Sequence, residues 1–198
     1  DGQKWELKRI YHYSSCNPVD YPPFRSIIAF SDTEIVLTSG GSIGWFNGRT
    51  NRTDCGIRPL LTGAINKLWG SSSSDLYAVG NNGNIAHWDG VRWRKIESGT
   101  DVDLLDVWGT PDGKVVWVSG RVDLSKSVLI KIVDGQANIV FEDHYPWQIK
   151  KGRISGGILS IWTNSTNLLY VTTPITVYRC LSNTDGEGKE IYPYDDYL

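Results

Sequence analysis

Apolar residues along this chain fall in short runs, and each run ends at a cluster of Gly, Ser, Asn or Asp. The clearest stretch runs from Leu68 to Ile96, with the run that opens it beginning at Ile65. Ile65–Trp69, Leu76–Val79 and Ile85–Trp88 are rich in β-branched and aromatic residues, and Val91–Ile96 alternates. This pattern predicts four short antiparallel strands. Asn82-Gly83 and Asp89-Gly90 supply the positive-φ positions that tight hairpin turns need. One such meander is too small to bury its own faces, so it needs neighbouring sheets.

The chain supplies them. Trp69-Gly70 returns as Trp108-Gly109. Tyr77-Ala78-Val79-Gly80 returns as Trp117-Val118-Ser119-Gly120 and is preceded by Val36-Leu37-Thr38-Ser39-Gly40. A fourth copy, Ile161-Trp162 followed by Leu169-Tyr170-Val171-Thr172, has lost its glycines. The turn dipeptides Asp1-Gly2, Asn47-Gly48, Asp89-Gly90, Asp134-Gly135 and Asp185-Gly186 recur at steps of 46, 42, 45 and 51. Self-similarity at roughly 40–50 residues, with four strands per unit, predicts an all-β propeller or partial propeller of four-stranded antiparallel blades.

Residues 64–100 resemble the tandem repeats of many secreted bacterial propeller proteins and lipoproteins. Those repeats are typified by Trp-Gly, an acidic residue, a Tyr-Ala-Val-Gly run, then Asp-Gly and Trp, here Trp69-Gly70, Asp75, Tyr77–Gly80, Asp89-Gly90 and Trp93. Residues 26–63 and 101–140 match in part and 158–198 weakly. The resemblance implies a propeller, export to the cell surface or outside, and a binding or scaffold role. It implies no particular activity.

As one domain, 1–198 divides into a leading outer strand, 1–10, and repeats at about 26–63, 64–100, 101–157 and 158–198. Residues 1–10 lie over DGVRWRKIES with Trp5 on Trp93, so they match the last strand of a repeat. Three arrangements follow: an extra strand on one blade, a four-bladed ring with the tail outside, or a piece of a longer propeller. An unclosed ring leaves open faces to be covered by further repeats or a second copy.

A meander places its 4→1 and 2→3 connections on one face. The longest loops, 12–25, 120–127 and 142–157, all belong to these sets and should crown that face. Long loops on a rigid repeat scaffold are where binding is grafted. The candidate ligand residues are therefore Tyr21, Phe24, Arg25, Arg121, Asp123, His144, Tyr145 and Trp147, with Lys126 beside them. Aromatic rings with Arg, Asp and His nearby suit a glycan or a protein ligand. The competing expectation is that the rings fold back onto the core.

Composition narrows the picture. A net charge of −2 with no Lys/Arg block argues against nucleic acid as a partner. No apolar run is long enough for a membrane span. Asp1 and the absence of Met point to a mature or trimmed form. Nine Trp and ten Tyr suit the packing of rings between sheets. Cys16, Cys55 and Cys180 leave one odd thiol: either a single disulfide forms, of which Cys16–Cys180 would tie the chain ends together, or all three stay unpaired. Asn51-Arg52-Thr53 and Asn164-Ser165-Thr166 are glycosylation sequons that carry no weight in a bacterial protein.

Catalytic signals are weak. Gly40-Gly41-Ser42-Ile43-Gly44 matches a nucleophile elbow as a string, but a strand follows where that motif needs a helix. His12, His87 and His144 have no metal spacing, and Asn183–Glu190 falls short of a calcium loop. No metal and no cofactor are expected. The alternative to a binding module is a carbohydrate-active glycosidase or lyase using Asp101, Asp103, Asp106 or Asp123 at the channel mouth.

Overall fold

The computed structural model describes Cys16 and residues 23–123, 125–146, 148, 154–174, 176–181 and 192–193. The predicted leading strand 1–10 lies outside the described residues. Within them the fold is all-β, four antiparallel sheets of four strands each. Sheet A holds β1 (Phe24–Ala29), β2 (Ile35–Ser39), β3 (Ser42–Phe46) and β4 (Asn51–Asp54). Sheet B holds β5 (Ile65–Ser72), β6 (Asp75–Gly80), β7 (Ile85–Trp88) and β8 (Trp93–Ile96). Sheet C holds β9 (Leu104–Gly109), β10 (Val115–Val122), β11 (Lys126–Val133) and β12 (Gln136–Asp143). Sheet D holds β13 (Ser160–Ser165), β14 (Leu168–Thr172), β15 (Val177–Leu181) and β16 (Tyr192–Pro193). Each sheet is a simple meander in chain order.

Turn chemistry sets the hairpins. Asn82 and Gly83 both have positive φ, 58° and 67°, and Asn84 N–H donates to Asn81 O at 3.2 Å, closing the turn. Asp134 and Gly135 repeat this geometry at 51° and 75°. At Asp89-Gly90 only the glycine is left-handed. Asp89 instead accepts from Val91 N–H (3.0 Å) and Arg92 N–H (2.8 Å), which holds the turn by a side chain.

The sheets stack face to face in series, A on B, B on C and C on D, chiefly through the first strands β1, β5, β9 and β13. Three apolar layers result. Val36, Ile43, Leu68 and Leu76 fill the A/B layer. Trp69, Tyr77, Val79, Val107 and Val118 fill the B/C layer. Trp117, Leu129, Ile161 and Val171 fill the C/D layer. Alternate residues of β6 enter different layers: Leu76 and Ala78 face sheet A, Tyr77 and Val79 face sheet C. A strand buried on both faces reads as a continuous apolar run, which is why these runs do not alternate. Among the described residues no comparable packing joins sheet D back to sheet A, so the four sheets form an open arc and not a closed four-bladed ring.

One disulfide is present among the described residues, and it does not join Cys16 to Cys180. Cys16 pairs with Cys55, just beyond β4, with Cα atoms 5.7 Å apart. Cys180 is free and half-buried on β15. Its backbone belongs to the middle of sheet D, paired with Leu169, and its thiol packs beside the C/D layer, which removes it from any bond to Cys16.

Candidate functional site

The 2→3 turns and the 4→1 linkers meet on one face, as the meander requires. Ile65 N–H donates to Gly40 O at 2.9 Å, Gly83 N–H to Val102 O at 2.9 Å, and Arg121 N–H to Asp103 O at 3.1 Å. These bonds tie the turn of one sheet to a linker of its own or the next sheet. They make the face a rigid backbone surface.

The predicted ligand residues divide into two groups on that face. Arg121, Asp123, Lys126, His144 and Tyr145 belong to sheet C and its loops. Arg121 packs its stem against Gly157, and Asp123 is exposed in a left-handed turn at φ 38°. Lys126 Nζ meets Glu142 Oε1 at 2.6 Å, and His144 Nε2 lies 3.8 Å from the same oxygen. The Lys126 hydrogen bond holds the Glu142 carboxyl below its usual range. Tyr145 is 58% exposed, so it does not fold back onto the core. Phe24 and Arg25 belong to β1 of sheet A. Arg25 Nη1 donates to Asn66 Oδ1 at 2.9 Å, and Asn66 Nδ2 donates to Leu104 O at 2.9 Å, a chain across three first strands. Tyr21 and Trp147 lie outside the described residues.

A polar cleft of about 440 Å³ opens on this face between sheets B and C. Asn82 and Asn84 of one turn, Lys95 of β8, Glu97 and Asp101 of the linker, and Lys126 of β11 line it. Asn84 is fixed by its bond to Thr62 O at 2.5 Å, so one wall is held by the fold itself. Of these residues only Asp101 and Lys126 stood out in the sequence. Asn82, Asn84, Lys95 and Glu97 looked like ordinary turn and strand positions.

Two of the proposed mouth acids serve the fold. Asp106 is buried on β9, where Oδ2 accepts from Ser160 Oγ (2.6 Å) and Ile161 N–H (2.9 Å). Asp103 accepts from Asn82 N–H (2.9 Å) and Asn81 Nδ2 (3.1 Å). His87 is likewise partnered, Nε2 to Asp75 Oδ1 at 2.7 Å, and its ring stacks on Tyr77 at 4.4 Å. Ser42 is buried at the start of β3. Among the described residues no group of three His, Cys, Asp or Glu side chains could hold a metal.

A second, larger cleft of about 540 Å³ lies between sheets A and B, lined by residues of their short 1→2 and 3→4 turns. Trp45 and Trp88 line it with ring centroids 5.5 Å apart, and the Arg52 guanidinium stands 5.8 Å from the Trp45 ring. Sequence reasoning missed it because these turns are short and loop length was the signal used. The Ser71–Ser74 run, two of whose residues line it, was the available hint.

No known protein family matches the sequence, and no curated protein does. Solved structures do match in shape. The computationally designed Ika4 protein aligns with TM-score 0.59 at 10% identity, over 83% of this chain and 94% of that one. YCF48 bound to D1 peptide aligns with TM-score 0.61 at 14% identity, over 96% of this chain. The chain spans 58% of the YCF48 chain. At these identities the likeness is one of fold: the four sheets are blades of a β-propeller.

Proposed function

We propose that this chain is a non-catalytic binding module, exported to the cell surface or beyond, that holds a segment of another protein in the cleft between sheets B and C. The observation that carries this reading is the lining of that cleft. Lys95 and Lys126 with Glu97 and Asp101 offer both signs of charge, and the Asn82 amide offers a donor and an acceptor, on a backbone that the fold holds in place. Such a wall suits peptide amides and charged side chains. Among the described residues that line it none is aromatic, which favours a peptide over a stacked sugar ring there. The peptide in the YCF48 structure supports the reading by analogy of fold alone. Export is supported by the Cys16–Cys55 disulfide, which an oxidising compartment preserves. No helix among the described residues is long and apolar enough to cross a membrane.

A glycan is the second reading, and the Trp45–Trp88 cleft favours it, because two indoles and Arg52 could stack on and hydrogen-bond a sugar. An enzyme with acids at the mouth is less well supported, since Asp103 and Asp106 spend their oxygens on fold hydrogen bonds.

Selection of a random-peptide display library against the chain, repeated on Lys126→Ala and Asp101→Ala, tests the first reading. Peptides enriched by the parent and lost by both variants are expected. Enrichment indifferent to both changes would move the site elsewhere. No enrichment, together with glycan-array binding that Trp88→Ala removes, would replace the peptide by a sugar.

A further inference from the structure

The repeat-equivalent positions of the first strands show what each blade presents to the next. Cross-strand register aligns Ile27, Leu68, Val107 and Ile161, which pair with Leu37, Ala78, Val118 and Val171. The next position along is Ile28, Trp69, Trp108 and Trp162. The one after is Ala29, Gly70, Gly109 and Thr163. The first set points to the preceding sheet. Leu68, Val107 and Ile161 are 3%, 0% and 2% exposed, whereas Ile27, with no sheet before it among the described residues, is 64% exposed. The second set points to the following sheet. Trp69 is 6% exposed beneath sheet C, but Trp162 is 42% exposed.

Among the described residues, both ends of the arc therefore carry an interior-type position with no blade over it, Ile27 on sheet A and Trp162 on sheet D. They are complementary ends. Where the joint exists, the tryptophan meets the third-position residue of the next sheet: the Trp69 ring sits over Gly109, and Trp108 Nε1 donates to Thr163 O at 2.9 Å. In sheet A the third-position residue is Ala29, small and exposed. Leu37 and Phe46, farther out on the same face, are buried, so the open part of that end is its inner edge. That edge is where neighbouring blades make most of their contact.

We infer that a second copy of this chain covers each end, with Trp162 of one copy seated on Ala29 and Ile27 of the other. The contact is heterologous. Made twice, it closes two four-bladed arcs into one ring with no open end.

Light scattering after size exclusion tests this on the intact chain, with Ile27→Arg and Trp162→Arg as variants. Ile27 is exposed, so circular dichroism and melting should be unchanged in Ile27→Arg; Trp162 also packs on Tyr170 at 5.8 Å, so Trp162→Arg should keep its circular dichroism and melt somewhat lower. The expected results are twice the 22.2 kDa chain mass for the parent and the single-chain mass for each variant. An equimolar mixture of the variants should regain dimer, because one joint in the mixed pair is untouched. A monomeric parent at about 100 μM, near or below the usual reach of a weak specific contact, would overturn the proposal. So would a dimer that survives both changes. Variants that stay apart when mixed would overturn the head-to-tail arrangement.

Discussion

The ring of Trp69 on β5 occupies the space that a side chain on Gly109 of β9 would need. Both residues lie between sheets B and C, and the ring is locked by Tyr77 beside it at 6.2 Å. A Gly109→Ala methyl would have to displace this ring within a filled layer. The expected cost is about 1–3 kcal/mol, read as a lower urea midpoint at unchanged slope.

Asp106 joins sheets C and D through one oxygen shared by Ser160 and Ile161. Asp106→Ala leaves the buried Ile161 N–H without its acceptor and should cost about 1–3 kcal/mol. Asp106→Asn retains an amide oxygen that can accept, so it should cost less. Equal losses in urea unfolding would mean that the Lys67 contact, 3.7 Å away, matters more than the hydrogen bonds.

Asp75 sets an acid limit on stability. Burial alone would raise its pKa, but hydrogen bonds from His87 and Ser71 outweigh this and hold it below its usual value. A carboxyl depressed in the folded state stabilises above its unfolded pKa, about 3.9, and the gain is lost as pH falls through the folded value. The parent should lose stability below about pH 4, and Asp75→Asn should show a flatter acid limb with lower stability at pH 7. Parallel acid limbs would count against the assignment.

The Cys16–Cys55 bond closes a sequence separation of 39 residues. Replacing both by Ser should cost about 2–4 kcal/mol. Burial pushes the Cys180 thiol up to about 12. Native alkylation at pH 8 should therefore spare Cys180, while alkylation in urea without reductant should modify it alone. Peptide mapping that finds a Cys180 disulfide would refute the pairing.

The blade repeat was legible because it is local. Turn dipeptides such as Asn82-Gly83 and runs such as Leu76–Val79 act over a few residues. The sidedness of the loop face followed from meander geometry alone. The polar cleft was only half legible, since it forms where the Asn82–Asn84 turn meets Lys126 of another sheet. The pairing of Trp45 with Trp88 and of Cys16 with Cys55 depends on how separate segments meet, which no spacing rule encodes.

From its sequence alone this chain is a series of four-stranded blades with its connections sorted onto two faces, because strand period and turn chemistry are short-range properties. Only the tertiary structure decided which of the equivalent positions are covered. Trp69 and Trp162 occupy the same place in the repeat, yet one is 6% and the other 42% exposed. Burial belongs to the neighbour as much as to the residue, and the blade that would cover Trp162 is not among the four.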